Sequence, residues 1–272
     1  MALIIYMETT QINSLPDVQS SHDERNIAID RVGIRRIKLP ITVESEKGPQ
    51  PTIATFTMTV ALPADQKGTH MSRFVALMER HAYPLNATNI ADVMKDMLET
   101  LHAKEGTLDI EFPFFVEKTA PVSGLKSLMD YHASWHVDGS LEHLVIQQKV
   151  VAPVTSLCPC SKEISKYGAH NQRSHLTSVV ELNAPLALEE QIRMCENAAS
   201  CQVWSRLKRA DEKYVTEHAY ENPKFVEDLI RDMANAFLRE PRVDAFEIEA
   251  ENFESIHNHS AYALISHDKR QA

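Results

Sequence analysis

IRRIKLPITV (34–43) and TIATFTMTVAL (52–62), with EKGPQP (46–51) between them, decide how the rest of the chain is read. β-Branched residues recur on both sides in partial alternation with polar ones, and a glycine between lysine and proline marks a turn, so the stretch predicts an antiparallel hairpin. Toward the C-terminus the period changes. Residues 71–80 and 89–102 read as helices, the second carrying Ile90, Val93, Met94, Met97, Leu98 and Leu101 at helical spacing. Strand-like TLDIEFPFFVEK (107–118) and YHASWHVDG (131–139), with HLVIQQKVVAPV (143–154), complete a hairpin–helices–hairpin unit.

The second half follows a similar order. RSHLTSVVELNAP (173–185) alternates and ends in a proline break, and residues 188–204 look helical. NPKFVEDLIRDMANAFLREP (222–241) predicts a helix capped by Asn222 with Pro223 at its first position and an apolar stripe of Phe225, Val226, Leu229, Ile230, Met233 and Phe237. Strands return in DAFEIEAENF (244–253) and SAYALISH (260–267). The expectation is an α+β protein, antiparallel sheets with helices on one face, divided into an N-terminal arm (1–30) and two modules (31–145 and 146–272). The arm, with LPDVQSSHDERN (15–26), is polar and turn-rich, and its order is expected to depend on a partner chain.

Of the 272 residues 43% are hydrophobic, enough for a real core, and 28 Lys and Arg against 38 Asp and Glu leave a net charge of −10. Duplex nucleic acid is therefore an unsuitable partner, although a local basic pocket can still hold a small anion. The seven glycines are too scattered for GxGxxG or a P-loop. The apolar run at residues 2–7 lacks the basic lead-in and length of a signal peptide, and no stretch is long enough to span a bilayer. A cytoplasmic protein with its four cysteines reduced is expected.

Four segments can carry chemistry. LCPCSKEISKYGAHNQRSH (157–175) gathers Cys158, Cys160, His170 and His175, thiols and imidazoles that suit zinc and related metals, although two small cysteines packed in a turn would read the same way. ENFESIHNHS (251–260) crowds Glu251, Glu254, His257 and His259 between apolar strands, either as a site or as a solvated strand end. RLKRADEKYVTEHAYENPKFVED (206–228) reads mostly as a solvated helical face, but Glu227 flanks an apolar stripe, and a half-buried carboxylate there can accept two N–H donors from a purine or pterin. KGTHMSRF (67–74) places Lys67, His70 and Arg73 at a strand-to-helix junction suited to an anion, or to a plain cap by Thr69 or Ser72.

Taken in order, SHDERNIAIDRVG (21–33), KGTHMSRF, TSLCPCSKEISKYGAHNQRSH (155–175), DEKYVTEHAYENPKFVED (211–228) and NFESIHNHSAYA (252–263) are similar to one family, GTP cyclohydrolase type IB, the metal-dependent bacterial enzyme of folate biosynthesis built on the tunnelling fold. The resemblance implies two tandem tunnelling-fold modules whose barrel is completed by oligomerisation, commonly as a homotetramer with active sites between subunits. It implies conversion of GTP and water to 7,8-dihydroneopterin triphosphate and formate. A divalent ion (Zn, Mn or Fe) would sit on Cys158, His170, Glu212, Glu254 and His257, with Asp211 and Glu217 close enough to exchange roles with Glu212. Cys158, His170 and Glu254 would be catalytic and Glu227 would anchor the guanine. The triphosphate would fall to Lys67, His70 and Arg73, or to Lys162, Lys166 and Arg173. Two other readings remain: a pterin- or purine-binding tunnelling-fold protein with a structural metal or different chemistry, and a protein without catalysis in which the CPC turn is simply packed.

Overall fold

The first hairpin forms as its alternation requires. In the computed structural model, which describes residues 16–271, β1 (Ile29–Val43) pairs antiparallel with β2 (Gln50–Leu62), and the turn closes where Gly48 donates its N–H to Ser45 O at 2.9 Å with φ of +103°. That φ suits glycine because a Cβ would crowd the carbonyl. The strand is less regular than its pattern suggests. A register shift between Arg35 and Ile37 puts Arg36 at φ +61°, an extra residue of the bulge kind that bends the edge strand.

Two helices follow, α1 (Met71–Arg80) and α2 (Ile90–Leu101), then β3 (Glu105–Thr119) and β4 (Lys126–Ser140). β3 and β4 by themselves form the closing hairpin of the first unit. HLVIQQKVVAPV belongs instead to β5 (Leu144–Leu157), which opens the second half and pairs with both β4 and β6 (Asn171–Leu182). Between β5 and β6 lies the short α3 (Pro159–Ile164), which buries none of its side chains. Then come α4 (Leu188–Ala198), the two-residue β7 (Cys201–Gln202), α5 (Arg209–Glu221), α6 (Val226–Arg239), β8 (Val243–Asn252), β9 (Ala261–Asp268) and a terminal 3-10 turn at Lys269–Gln271.

Among the described residues all nine strands belong to one antiparallel sheet in the order β1-β2-β3-β4-β5-β6-β8-β9, with β7 against β5, so β1 and β9 are its two edges there. Phe56, Trp135, Val150 and Ile248 point to one face and pack there in a single core with Phe74, Met94, Ile192 and Leu229 from α1, α2, α4 and α6. The opposite face, free of these helices, carries polar side chains such as Asp109, Glu111, Ser134, His136 and Lys149, as period-two alternation dictates.

Two local expectations change. The helix expected over 188–204 stops at Ala198, because the chain turns at Ala199 and Ser200 to place Cys201 and Gln202 beside β5. Asn222 does not cap α6 but closes α5: its N–H bonds to His218 O and Ala219 O, and its amide donates to Ala199 O and Ser200 O. α6 starts later, at Val226, where Asp228 accepts the Phe225 N–H at 2.9 Å. Residues 16–28 of the arm are held by their own chain through Asp23 N–H to Asp65 O, Lys67 N–H to Ser21 O and Gly68 N–H to Gln19 O. Residues 1–15 of the arm, including the apolar run at 2–7, lie outside the described residues.

Candidate active site

Cys158 follows the last residue of β5 and caps α3, and its position follows from the proline after it: Pro159 starts the helix without needing an N–H partner, leaving the Cys158 sulfur as cap. Its Sγ accepts the Ser161 N–H at 3.4 Å, and its own N–H donates to His170 O at 3.1 Å. The His170 N–H returns to Ser161 Oγ at 3.2 Å. The segment between these residues thus closes on itself, and Cys158 and His170 become neighbours at its mouth.

The third member arrives from far along the chain. Phe253 N–H bonds to Arg173 O at 3.0 Å, extending the β6–β8 ladder by one step, and the next residue, Glu254, comes to 3.9 Å from His170 Nδ1. Both side chains are largely enclosed, with His170 at 13% and Glu254 at 12% exposure. His170 Nδ1 also sits 2.9 Å from Gln172 Oε1, while its Nε2 carries no hydrogen bond among the described residues. Sulfur, imidazole nitrogen and carboxylate oxygen are donor types that suit a divalent transition ion, so the chemistry of these residues fits the expected metal, although only His170 and Glu254 approach each other through their side chains and Cys158 joins His170 through the backbone.

The remaining expected ligands are not gathered there. His257 lies exposed in the 253–260 loop between β8 and β9, stacked on His259 with ring centroids 5.0 Å apart, so neither a helical turn nor a regular strand describes this segment. Glu212 is exposed on the first turn of α5. Its neighbours are already engaged. Asp211 is buried and accepts N–H bonds from Val122, Ser123 and Lys208 and the Ser123 hydroxyl, which together hold its carboxyl far below the usual range against the opposing effect of burial. Glu217 pairs with Lys213 at 2.7 Å. Among the described residues of one chain, no three His, Cys, Asp or Glu side chains form a metal-holding group.

Cys160 is exposed, and His175 points to the sheet face opposite Gln172 and Ser174, packed edge-on against Phe253 at 4.9 Å and depressed in pKa by burial. The four-residue cluster expected around the CPC turn therefore reduces to Cys158 and His170. A cleft of about 680 Å³ is lined by Lys166, Ala169, Asn171, Thr216, Glu217 and Tyr220, and His170 is not part of its wall. Glu227 is exposed at the start of α6.

At the KGTHMSRF junction His70, not Thr69 or Ser72, occupies the cap of α1, without a capping hydrogen bond, 3.3 Å from the Asp17 carboxylate. Arg73 donates to Thr100 O at 3.3 Å and Lys67 is exposed. In the second cluster Lys162 Nζ donates to Tyr220 O at 2.5 Å and stacks over the Tyr220 ring, whereas Lys166 and Arg173 are exposed. Gln172 lay beyond sequence reasoning, since only the fold shows which imidazole nitrogen its amide meets. Its place between two expected residues, in HNQRSH, was the available signal.

No helix among the described residues is long and apolar enough to cross a membrane. Among solved structures the chain resembles uricase from Arthrobacter globiformis, with a TM-score of 0.56 at 8% identity over 89% of this chain and 94% of that one. It likewise resembles urate oxidase from Bacillus subtilis 168, with a TM-score of 0.51 at 10% identity over 89% and 100%. These likenesses establish the fold, the tunnelling fold expected above. The sequence is 56% identical to the GTP cyclohydrolase FolE2 of Ralstonia nicotianae over 95% of this chain and 96% of that protein. It is 54% identical to that of Dichelobacter nodosus over 94% and 98%. Residues 15–263 match the profile of the family described as type I GTP cyclohydrolase folE2, and the chain belongs to that family.

Proposed function

We propose that this protein is a GTP cyclohydrolase that converts GTP and water to 7,8-dihydroneopterin triphosphate and formate, the entry to tetrahydrofolate biosynthesis, in the cytoplasm. The observation that carries this reading is 54–56% identity to proteins named GTP cyclohydrolase FolE2 over almost the whole chain. The approach of Glu254 to His170, with Cys158 joined to His170 through the backbone, supplies a chemical reason for it.

The ion, zinc, manganese or iron, would be held by Cys158, His170, Glu212, Glu254 and His257. When bound, a divalent ion of this kind lowers the pKa of a bound water from 15.7 to about 7, providing a nucleophile at neutral pH for the imidazole carbon of guanine that leaves as formate. The residues of the chain do the rest. An adjacent carboxylate or imidazole moves protons as the ring opens, a role open to Glu254 or His170 only while that residue is not bound to the ion. Glu227 can accept both the ring N–H and the exocyclic amine of guanine, a two-bond contact that hypoxanthine would halve. Lys67, His70 and Arg73 are the proposed triphosphate contacts.

Assembly completes this reading. Residues 31–145 and 146–272 act as tandem modules on one sheet, and barrel closure in a homotetramer would bring Glu212 and His257, exposed in the single chain, to a site shared between subunits. The test is incubation of metal-loaded protein with GTP, followed by assay of formate and of a fluorescent oxidised pterin. Both are expected, and Cys158→Ala is expected to abolish both with the fold retained. Absence of both products from the metal-loaded parent overturns the reading.

A further inference from the structure

His170 stands at the end of a line of buried polar side chains. Its Nδ1 lies 2.9 Å from Gln172 Oε1, and Gln172 Nε2 donates to Ser156 Oγ at 2.7 Å. The Ser156 and Ser174 hydroxyls are 2.9 Å apart, and the Ser174 hydroxyl donates to Asn252 Oδ1 at 2.7 Å. Gln172 is 7% exposed, Ser156 and Ser174 0% and Asn252 2%. The line follows cross-strand pairs, Ser156 with Gln172 and Ser174 with Asn252, so it runs from β5 through β6 to the last residue of β8. There the chain enters the loop that carries Glu254 and His257.

Apolar side chains would fill these positions without the cost of burying polar groups, so the line calls for a purpose beyond packing. Its geometry has a direction. An amide offers donors only from nitrogen and acceptors only from oxygen. With the Gln172 nitrogen engaged by Ser156, its oxygen faces His170 and can only accept, so the proton of the neutral imidazole sits on Nδ1. Glu254 Oε2, 3.9 Å from the same nitrogen, favours the same placement. Ser156 accepts from Gln172 and donates to Ser174, which donates to the Asn252 carbonyl oxygen. Every member then has one consistent orientation, and the lone pair of His170 is left on Nε2.

We infer that Gln172, Ser156, Ser174 and Asn252 form a relay that fixes the tautomer of His170, presenting Nε2 to a divalent cation and tying that setting to the base of the 253–260 loop. Gln172 is thus a positioning residue for metal binding, an inference that rests on the metal-dependent reading above. Groups that orient a ligating imidazole affect metal affinity about 10- to 100-fold.

The test compares parent protein with Gln172→Leu, Ser174→Ala and Ser174→Thr, measuring zinc affinity by chelator competition, the visible spectrum of the cobalt(II) form, thermal midpoint and GTP turnover. Gln172→Leu is expected to weaken zinc binding about 10- to 100-fold and to alter the cobalt spectrum. Ser174→Ala, three hydrogen bonds from the imidazole, is expected to weaken zinc binding as well, and Ser174→Thr to restore it. Parental zinc affinity and cobalt spectrum in Gln172→Leu overturn the relay, as does a Ser174→Ala protein that loses thermal stability alone. A parent that binds zinc but does not turn over GTP overturns the cyclohydrolase reading while the zinc measurements still decide the relay. A parent that binds no divalent ion overturns both.

Discussion

Lys118 and Glu196 form an ion pair inside the protein, and breaking it on one side should cost far more than removing it whole. Lys118 of β3 is 7% exposed and Glu196 of α4 is 5% exposed, with Nζ to Oε1 at 2.5 Å. Nζ also donates to Val203 O at 2.9 Å and lies 4.7 Å over the Trp204 ring, while Tyr131 OH donates to the same Glu196 oxygen at 2.6 Å. Burial pulls the Lys118 ammonium below its ordinary pKa and Glu196 opposes that pull. Lys118→Met keeps the stem but leaves the Glu196 carboxylate buried with only the tyrosine hydroxyl. The expected loss is about 3–5 kcal/mol, the usual consequence of leaving one buried charge uncompensated. At about 1.4 kcal/mol per decade this is about two to four decades in the unfolding equilibrium. Adding Glu196→Met removes the stranded charge, and the double variant should recover most of the loss. Urea denaturation at one fixed protein concentration measures the parent, Lys118→Met, Glu196→Met and the double variant, the concentration being held because assembly contributes to apparent stability. A Lys118→Met loss under about 1 kcal/mol, or a double variant whose loss equals the sum of the single losses, refutes the reasoning.

Phe237→Ala should cost about 3–5 kcal/mol by denaturation, because its ring is fully buried and packs from α6 against Phe246 of β8, so its removal leaves a cavity in the core. His136 donates to Asp109 at 2.6 Å, which raises its pKa. The pair therefore stabilises fully below about pH 6.5, the unfolded value, and its contribution fades as pH rises through the higher folded value. An NMR titration should show Asp109→Asn bringing the His136 midpoint down. Lys162→Met should release α3 from the Tyr220 carbonyl and ring, so hydrogen exchange in 159–164 should rise while α6 stays protected, because no buried side chain of α3 holds it otherwise. Glu227→Gln should raise the GTP KM and leave zinc affinity unchanged, as expected of a base contact away from the ion.

Strong periodicity made much of the fold legible. The spacing from Ile90 to Leu101 placed α2 within a residue at each end because all of its apolar positions face one core. Local patterns failed where a tertiary contact took a residue for another use. Asn222 has the chemistry of a helix start, but its amide is drawn to the carbonyls of Ala199 and Ser200, so it ends one helix instead of beginning the next. The helical pattern past Ala198 yields because Cys201 can complete a bridge to Thr155. At the site, Cys158, His170 and Glu254 were nameable from residue type and family likeness. Gln172, Ser156, Ser174 and Asn252 were not, since alternate small polar residues in strands look like solvent-facing positions until the sheet shows which side is covered.

The two outer strands of the sheet have a further consequence. Among the described residues, β1 and β9 each present backbone amides and carbonyls with no further strand beside them. If β9 of one copy adds to β1 of the next, the recruited copy brings a bare margin of its own, and growth by that contact ends only when the last copy meets the first. The arc contributed by each chain, set by twist and by the kink at Arg36, would then determine how many copies make a ring, and a substitution that merely straightened β1 could turn a closed assembly into a fibre.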